Sequence, residues 1–362
     1  MTTPTSLPTD LPPLDVTPGP VRAEPLPADR PVRWGILATG KIANAFARDL
    51  SLLEECELTA VGARRQESAD DFAARHGARR AYGDYRSLVE DPEVDVVYVA
   101  TPHALHREHV TLALEAGKAV LNEKAFTLDA TEAAELVALA REKDLFLMEA
   151  MWMRCLPIVR RLQQLLGSGA LGEVRQVRAD LGFAVDKPPT DRLLDVALGA
   201  GALLDMGIYP LTFAQLFLGE PSVVAAAANL SEAGADLDLS LSLGYPGGGL
   251  ASLTSTMTAW SPRTASIATD RGRIDLPAPF HHPRSVTWTA YDTDPAVGGP
   301  AEPQELTEEM IGAGYAHEAL EVVRCLRGGE TESPLMTLDE TMRMMRLMDL
   351  VREQIGVRYT RR

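Results

Sequence analysis

The stretch VRWGILATGKIANAF, residues 32–46, most constrains what this chain can fold into. A short apolar run enters a turn of small residues and passes at once into an amphipathic helix. That order aims backbone N–H groups and the positive end of a helix dipole at whatever lies beyond the strand, an arrangement suited to a pyrophosphate. Gly40 leaves the backbone open to approach, Ala38 stands where the G-x-G-x-x-G/A pattern has its first glycine, and Ala43 takes the third small position. Thr39, Lys41 and Ile42 complete the turn, and with Ala38 and Gly40 they are candidate phosphate contacts. Tight helix–strand packing calls for the same small residues, so the surroundings must decide between the two.

From Val32 to about Glu149, β-branched runs alternate with helical stretches, the pattern of a parallel sheet covered on both faces. Strands are expected at Arg33–Leu37, Leu58–Gly62, Val94–Ala100, Ala119–Asn122 and Leu145–Met148. A helix is expected over Ala130–Glu142, with Asp129 as N-cap and an apolar face through Ala134, Val137 and Leu139. After Met151 comes a helix over Leu156–Leu166, then period-two runs such as GEVRQVRADLGF and DLDLSLSLGY separated by glycine and proline, which read as antiparallel sheet. Helices return at Tyr315–Leu326 and Asp339–Gln354, the latter with a core stripe of Met342, Met344, Met345 and Met348. The expected fold is α/β: a doubly wound, Rossmann-type parallel sheet over residues 31–150, then an α+β domain with an open antiparallel sheet over 151–362. Residues 1–30, crowded with prolines, read as a disordered or extended tail without the basic start and apolar run of a signal peptide.

The bulk numbers narrow the function. A formal charge of −16 with no long basic stretch argues against nucleic-acid and anionic-membrane partners, and no window reads as an uninterrupted apolar span. Three well-separated cysteines, Cys56, Cys155 and Cys325, read as buried thiols of a reducing, cytoplasmic compartment rather than as a disulfide or metal framework. A small neutral or cationic substrate fits this balance.

Four clusters carry the chemistry. After the second strand, where a carboxylate would hold the 2′-hydroxyl of NAD, stand Ala63, Arg64 and Arg65; two guanidinium groups and no acid favour the 2′-phosphate of NADP over NAD, with solvated loop arginines as the plainer alternative. Thr101 and Pro102 end the fourth strand at the ligand edge of the sheet. His103 and His106 follow as further candidate cofactor contacts, a cap or packing role being weighed for His106; with no third ligand nearby they suggest no metal site. Glu123 and Lys124 come just after the fifth strand, where a lysine can reach a substrate and hydrogen-bond a carbonyl or stabilise an alkoxide. In GAGALLDMGIYP a glycine-rich turn opens a helix on which Asp205 and Tyr209, four apart, share a face: a carboxylate to orient hydroxyls and a phenol able to exchange a proton. Spacing alone would equally serve a surface Tyr–Asp pair.

In this order and at these distances, the clusters resemble those of the glucose-fructose oxidoreductase/inositol dehydrogenase/rhizopine-catabolism (Gfo/Idh/MocA) family of NAD(P)-dependent oxidoreductases, from Val32 to the C-terminus. The family's E-K-P appears here as Glu123-Lys124-Ala125, without the proline, and its D-x-x-x-H/Y pair as Asp205 and Tyr209. FLMEAMWMRCLP, GALLDMGIYP and TESPLMTLDETMRMM resemble the branch of dimeric trans-dihydrodiol dehydrogenases and NADP-dependent D-xylose dehydrogenases. The resemblance implies that Lys124 and Tyr209 form the acid/base pair, that Asp205 positions the hydroxyl, that Trp152 and Arg154 line the substrate pocket, and that Phe280 closes it. It further implies a sugar or cyclic-polyol substrate and a homodimer, or higher homo-oligomer, through the antiparallel sheet. A sugar–sugar oxidoreductase with tightly held cofactor, and a non-catalytic NADP or sugar sensor, share this architecture and stay open.

Overall fold

The computed structural model describes residue 7 and residues 17–291 and 299–359, which divide into two compact units. One comprises Val16–Cys155 with Met310–Arg346, the other Leu156–Glu309 with Leu347–Thr360.

The first unit is built on six parallel strands: β1 (Val32–Leu37), β2 (Cys56–Gly62), β3 (Arg80–Tyr82), β4 (Val96–Val99), β5 (Ala119–Glu123) and β6 (Leu147–Ala150), in the order β3-β2-β1-β4-β5-β6. Between them run helices α1 (Lys41–Leu50), α2 (Gln66–His76), α3 (Tyr85–Glu90), α4 (His106–Glu115) and α5 (Ala130–Glu142). The strand order reverses between β1 and β4, so the turns after both strands open at the switch point where doubly wound sheets bind their ligands. Strands β1, β4, β5 and β6 are buried almost throughout, which is why they read as continuous apolar runs. Asp129 caps α5 as its sequence predicts, its carboxylate accepting from the N–H groups of Thr131 at 3.0 Å and Glu132 at 2.9 Å. The buried face of α5 is turned from the expected one: Ala133, Leu136, Val137 and Ala140 face inward and Ala134 is exposed. Strand β3, three half-buried residues at the sheet edge, is too short to leave a periodic signal.

Within the proline-rich stretch, read above as a disordered or extended tail, residues 20–26 are tied down through their backbone. Arg22 and Ala23 donate N–H bonds to the Gly329 carbonyl, Leu26 to that of Leu326, and the Pro20 carbonyl accepts from Thr331. A segment poor in side-chain periodicity is here tethered through its backbone groups. Residues 1–6 and 8–16 of the same stretch lie outside the described residues.

In the second unit, α6 (Pro157–Gly167) precedes β7 (Val174–Gly182). A π-helical turn (Leu203–Gly207) then leads into α7 (Ile208–Leu218), followed by β8 (Val223–Leu230), β9 (Asp236–Gly244), β10 (Leu250–Thr256), β11 (Ala265–Thr269), β12 (Gly272–Leu276), β13 (Ser285–Ala290) and β14 (Gln304–Thr307). The eight strands run β14-β13-β12-β11-β7-β10-β9-β8. The sheet is mixed rather than wholly antiparallel, because β10 lies parallel to β7 in the middle of it. Alternating burial along β9 and β10 leaves one face open, while the apolar helix α7 covers the other against β7 and β10. Val196–Leu218, interrupted by Asp205, has the length and mean hydropathy of a membrane span, and 78% of its most apolar window is buried.

Two last helices, α8 (Tyr315–Gly328) and α9 (Leu338–Ile355), close the described chain. Met342, Met344, Met345 and Met348 are all buried, so the methionine stripe is core.

Candidate active site

The β1–α1 turn is shaped for an anion. Ala38 takes the left-handed backbone at φ 85°, the conformation for which the usual pattern carries glycine, and its N–H donates to the Gly62 carbonyl at 3.0 Å. Gly40 is the N-cap of α1 with φ −70°, so its backbone does not require glycine, and a Cβ built there would meet no atom within 4 Å. Neither strain nor packing accounts for that glycine, whereas a phosphate resting on the backbone would. No side chain caps α1, and Lys41 at its start is exposed. The residues present therefore fit the pyrophosphate of a dinucleotide. Thr39 and Ile42 flank the glycine half-buried, the Thr39 carbonyl accepting from the Asn44 amide at 3.1 Å. Arg64 and Arg65 are both exposed just beyond β2, and Arg65 also donates to Ser68 at 3.1 Å.

At the ends of β4 and β5, the structure separates cofactor candidates from scaffold. Thr101 and His103 are nearly buried and Pro102 half-buried; the Thr101 hydroxyl lies 3.0 Å from His109 Nδ1, and His103 Nε2 lies 3.2 Å from the Lys124 carbonyl. His106 is not a cofactor contact. It is fully buried, with Nε2 2.8 Å from the Thr101 carbonyl and Nδ1 3.0 Å from that of Ala125. Burial pushes its pKa down to about 4, so the ring is neutral. It ties the end of β4 to the loop that carries Lys124.

That loop is held at every turn. Tyr98 donates its hydroxyl to Glu123, whose other oxygen accepts the Lys124 N–H at 3.2 Å. The amide of Asn122 donates to the Phe126 carbonyl at 2.7 Å, and the Phe126 N–H donates to Glu149 at 3.0 Å. The Lys124–Ala125 bond, at the place of the missing proline, is cis. Lys124 itself is half-buried.

Trp152 and Arg154 follow β6 in a 3-10 turn (Trp152–Cys155). Trp152 is nearly buried and stacks on Tyr315, ring centroids 4.4 Å apart. Arg154 is turned inward: its Nε donates to the Leu335 carbonyl at 2.6 Å and its guanidinium pairs with Glu340. A buried arginine so engaged holds the backbone together.

In the second unit, Asp205 lies in the π-helical turn and Tyr209 at the start of α7, as the spacing implied. Asp205 is half-buried and accepts from Arg192 at 3.1 Å, and Tyr209 is nearly buried with its ring 4.7 Å from that of His281. Their platform is anchored from β9, where Asp236 accepts the Leu203 N–H at 2.6 Å. Phe280 does not line a pocket. It is fully buried, edge-on to Phe213 of α7 at 5.4 Å, and belongs to the core. Its neighbour His281 is the residue beside Tyr209. Neither Arg192, in an irregular loop, nor His281, in the run PFHHP, carries a spacing that sequence could have used.

Comparison with known proteins adds an independent line. Residues 32–151 match the model of the oxidoreductase family with NAD-binding Rossmann fold, GFO_IDH_MocA, and residues 159–275 match the GFO/IDH/MocA C-terminal domain. The chain is 37% identical over 331 residues to trans-1,2-dihydrobenzene-1,2-diol dehydrogenase of Xenopus tropicalis, an alignment covering 90% of this chain and 99% of that one. Among solved structures, KijD10, a 3-ketoreductase from Actinomadura kijaniata in complex with NADP and TDP-benzene, is 28% identical with a TM-score of 0.78, over 90% of this chain and 98% of that one. An aldose-aldose oxidoreductase from Caulobacter crescentus, 23% identical, shares the fold with a TM-score of 0.79 over 90% of this chain and 98% of that one.

Proposed function

The chain belongs to the GFO/IDH/MocA family of NAD(P)-binding oxidoreductases, and from that premise we propose that it oxidises a carbinol of a cyclic diol, polyol or aldopyranose with NADP. The observation that carries the NADP reading is the open, uncapped turn at Gly40 beside Arg64 and Arg65, both exposed, with no carboxylate in the AVGARRQ segment to meet a 2′-phosphate. A bound nicotinamide would supply the hydride acceptor. The chain's own part is to hold the substrate and move the hydroxyl proton: Tyr209, working with Lys124, takes that proton, and Asp205 orients the hydroxyl. Arg192 and His281 hold the Asp205 and Tyr209 side chains in place. The trans-dihydrodiol is favoured as substrate over an aldose by the identity with the dihydrodiol dehydrogenases.

Pairing of two copies through the open face of the eight-stranded sheet belongs to the same proposal, with sedimentation velocity as its check. So does a cytoplasmic location, which suits three free cysteines.

The test is absorbance at the reduced-nicotinamide band with NADP, then NAD, against trans-1,2-dihydrobenzene-1,2-diol, aldoses and inositols. A rise with NADP and the dihydrodiol is expected. Silence across the panel would turn the reading toward a sensor, and cofactor that co-purifies with the protein would turn it toward sugar–sugar exchange. Lys124→Ala is expected to abolish most turnover while NADPH binding persists; full activity in that variant removes Lys124 from the mechanism.

A further inference from the structure

Glu149 on β6 is 1% exposed, yet both of its oxygens are engaged on different elements. One accepts the Phe126 N–H at 3.0 Å, two residues beyond Lys124; the other accepts the Thr341 hydroxyl at 3.0 Å, from the first turn of α9. It stands opposite Asn122 in the β5–β6 ladder, beside the strand end from which Lys124 projects. A buried carboxylate carries a desolvation cost that a neutral residue of the same shape would avoid. Glutamine has that shape and could keep both hydrogen bonds, its carbonyl accepting from Phe126 and its amide donating to Thr341. What glutamine lacks is the charge.

Resting on the reading that Lys124 acts on substrate, we propose that Glu149 is a positioning residue for Lys124: it clamps the loop through Phe126 to Thr341 on α9, and its negative charge is part of the setting in which the lysine works. The charged groups acting on it are Lys124 from the loop and Arg154 from the 3-10 turn, itself paired with Glu340, while the neutral hydroxyl of Thr341 from α9 donates a hydrogen bond to it. Burial raises the carboxyl to about 7, against the Thr341 hydroxyl, the Phe126 N–H and the two cations. Below that pH Glu149 is neutral and the clamp loses its charge; above it the charge is present.

The experiment is the pH profile of kcat and of kcat/KM, with NADP and trans-1,2-dihydrobenzene-1,2-diol, for the wild type, Glu149→Gln, Thr341→Val and Lys124→Ala, with NADPH affinity by fluorescence and the melting temperature alongside. The wild-type kcat is expected to rise through a midpoint at about 7. Glu149→Gln is expected to keep its NADPH affinity and melt no lower, to lose that limb, and to turn over on the order of tenfold more slowly. Thr341→Val, which removes one donor and leaves the carboxylate, is expected to move the limb to higher pH, and it decides the matter should Glu149→Gln fail to fold. A Glu149→Gln profile superimposable on the wild type, or an unmoved midpoint in Thr341→Val, overturns the role of Glu149 while an inactive Lys124→Ala leaves the Lys124 reading standing. An active Lys124→Ala overturns both.

Discussion

At the scale of single residues, two positions hold a conformation or a charge at a cost. Ala38 sits at φ 85°, where a Cβ costs on the order of 1–2 kcal/mol. Ala38→Gly is therefore expected to raise stability by about 0.5–1 kcal/mol, after the added entropy of the unfolded glycine, as read from the denaturant midpoint at unchanged slope. Asp236 is the opposite case. It donates no proton to a partner; one oxygen accepts the Leu203 N–H, and the other is buried without a hydrogen-bond partner among the described residues. Burial raises its pKa to about 7, so between the ordinary carboxylate range and 7 the folded protein binds a proton that the unfolded chain has released. The stability it allows is present at low pH and lost as pH rises through about 7. Asp236→Asn is expected to match the wild type only below the ordinary carboxylate range, to gain on it steadily as pH rises toward about 7, and to melt higher by the full difference at pH 8. Equal melting temperatures at pH 8 would show that the carboxylate is accommodated without penalty. Sequence indicated Ala38 by motif position, but nothing in DLDLSLSLG marks Asp236 as buried beneath the helix that carries Asp205 and Tyr209.

At the scale of elements, the start of α8 depends on a residue far away in the chain. The Asp49 carboxylate, at the end of α1, accepts N–H bonds from Ala313, Gly314, Tyr315 and Ala316 at 2.9–3.3 Å, doing for α8 what an N-cap side chain does from within. The approach is close enough that a Cβ at Gly312, φ 58°, would lie 2.4 Å from an Asp49 oxygen. Asp49→Ala leaves those donors buried without acceptors and is expected to cost about 2–4 kcal/mol, measured by urea unfolding. A loss under about 0.5 kcal/mol would mean that water replaces the carboxylate. The β4 and β5 ends follow the same logic. Lys124 and Glu123 were legible from their place at the end of a strand, whereas the groups that hold them are Asn122 of the same strand and Tyr98, His106 and Glu149 of three other elements, and they show no common spacing. For His106 the packing role weighed beside a cofactor contact is the one observed, with the carbonyls of Thr101, Ala125 and Phe126 all within hydrogen-bond distance of its ring.

For the molecule as a whole, the compact unit around the parallel sheet is not a continuous stretch of chain, because Met310–Arg346 belongs to it. Leu147 donates its N–H to the Thr331 carbonyl, Trp152 stacks on Tyr315, and Arg154 and Glu149 find partners at Leu335, Glu340 and Thr341. A fragment of residues 16–155 is therefore expected to lack a cooperative urea transition by circular dichroism, while the same fragment joined to residues 310–346 regains one; a sigmoidal transition in the short fragment would show that the returning segment is dispensable. The sequence by itself determined the class of fold, the β1–α1 turn, most strands and long helices, and the places of Lys124, Asp205 and Tyr209, because hydrophobic period and local turn chemistry act within a few residues. Tertiary structure alone decided that Arg154 and Phe280 turn into the protein, that β10 runs parallel to β7, that part of the proline-rich leader is tied down, and that Asp49, Glu149, Arg192 and His281 support the elements around them. Those outcomes depend on which buried donor meets which acceptor across tens to hundreds of residues, and no local pattern along the chain records that pairing.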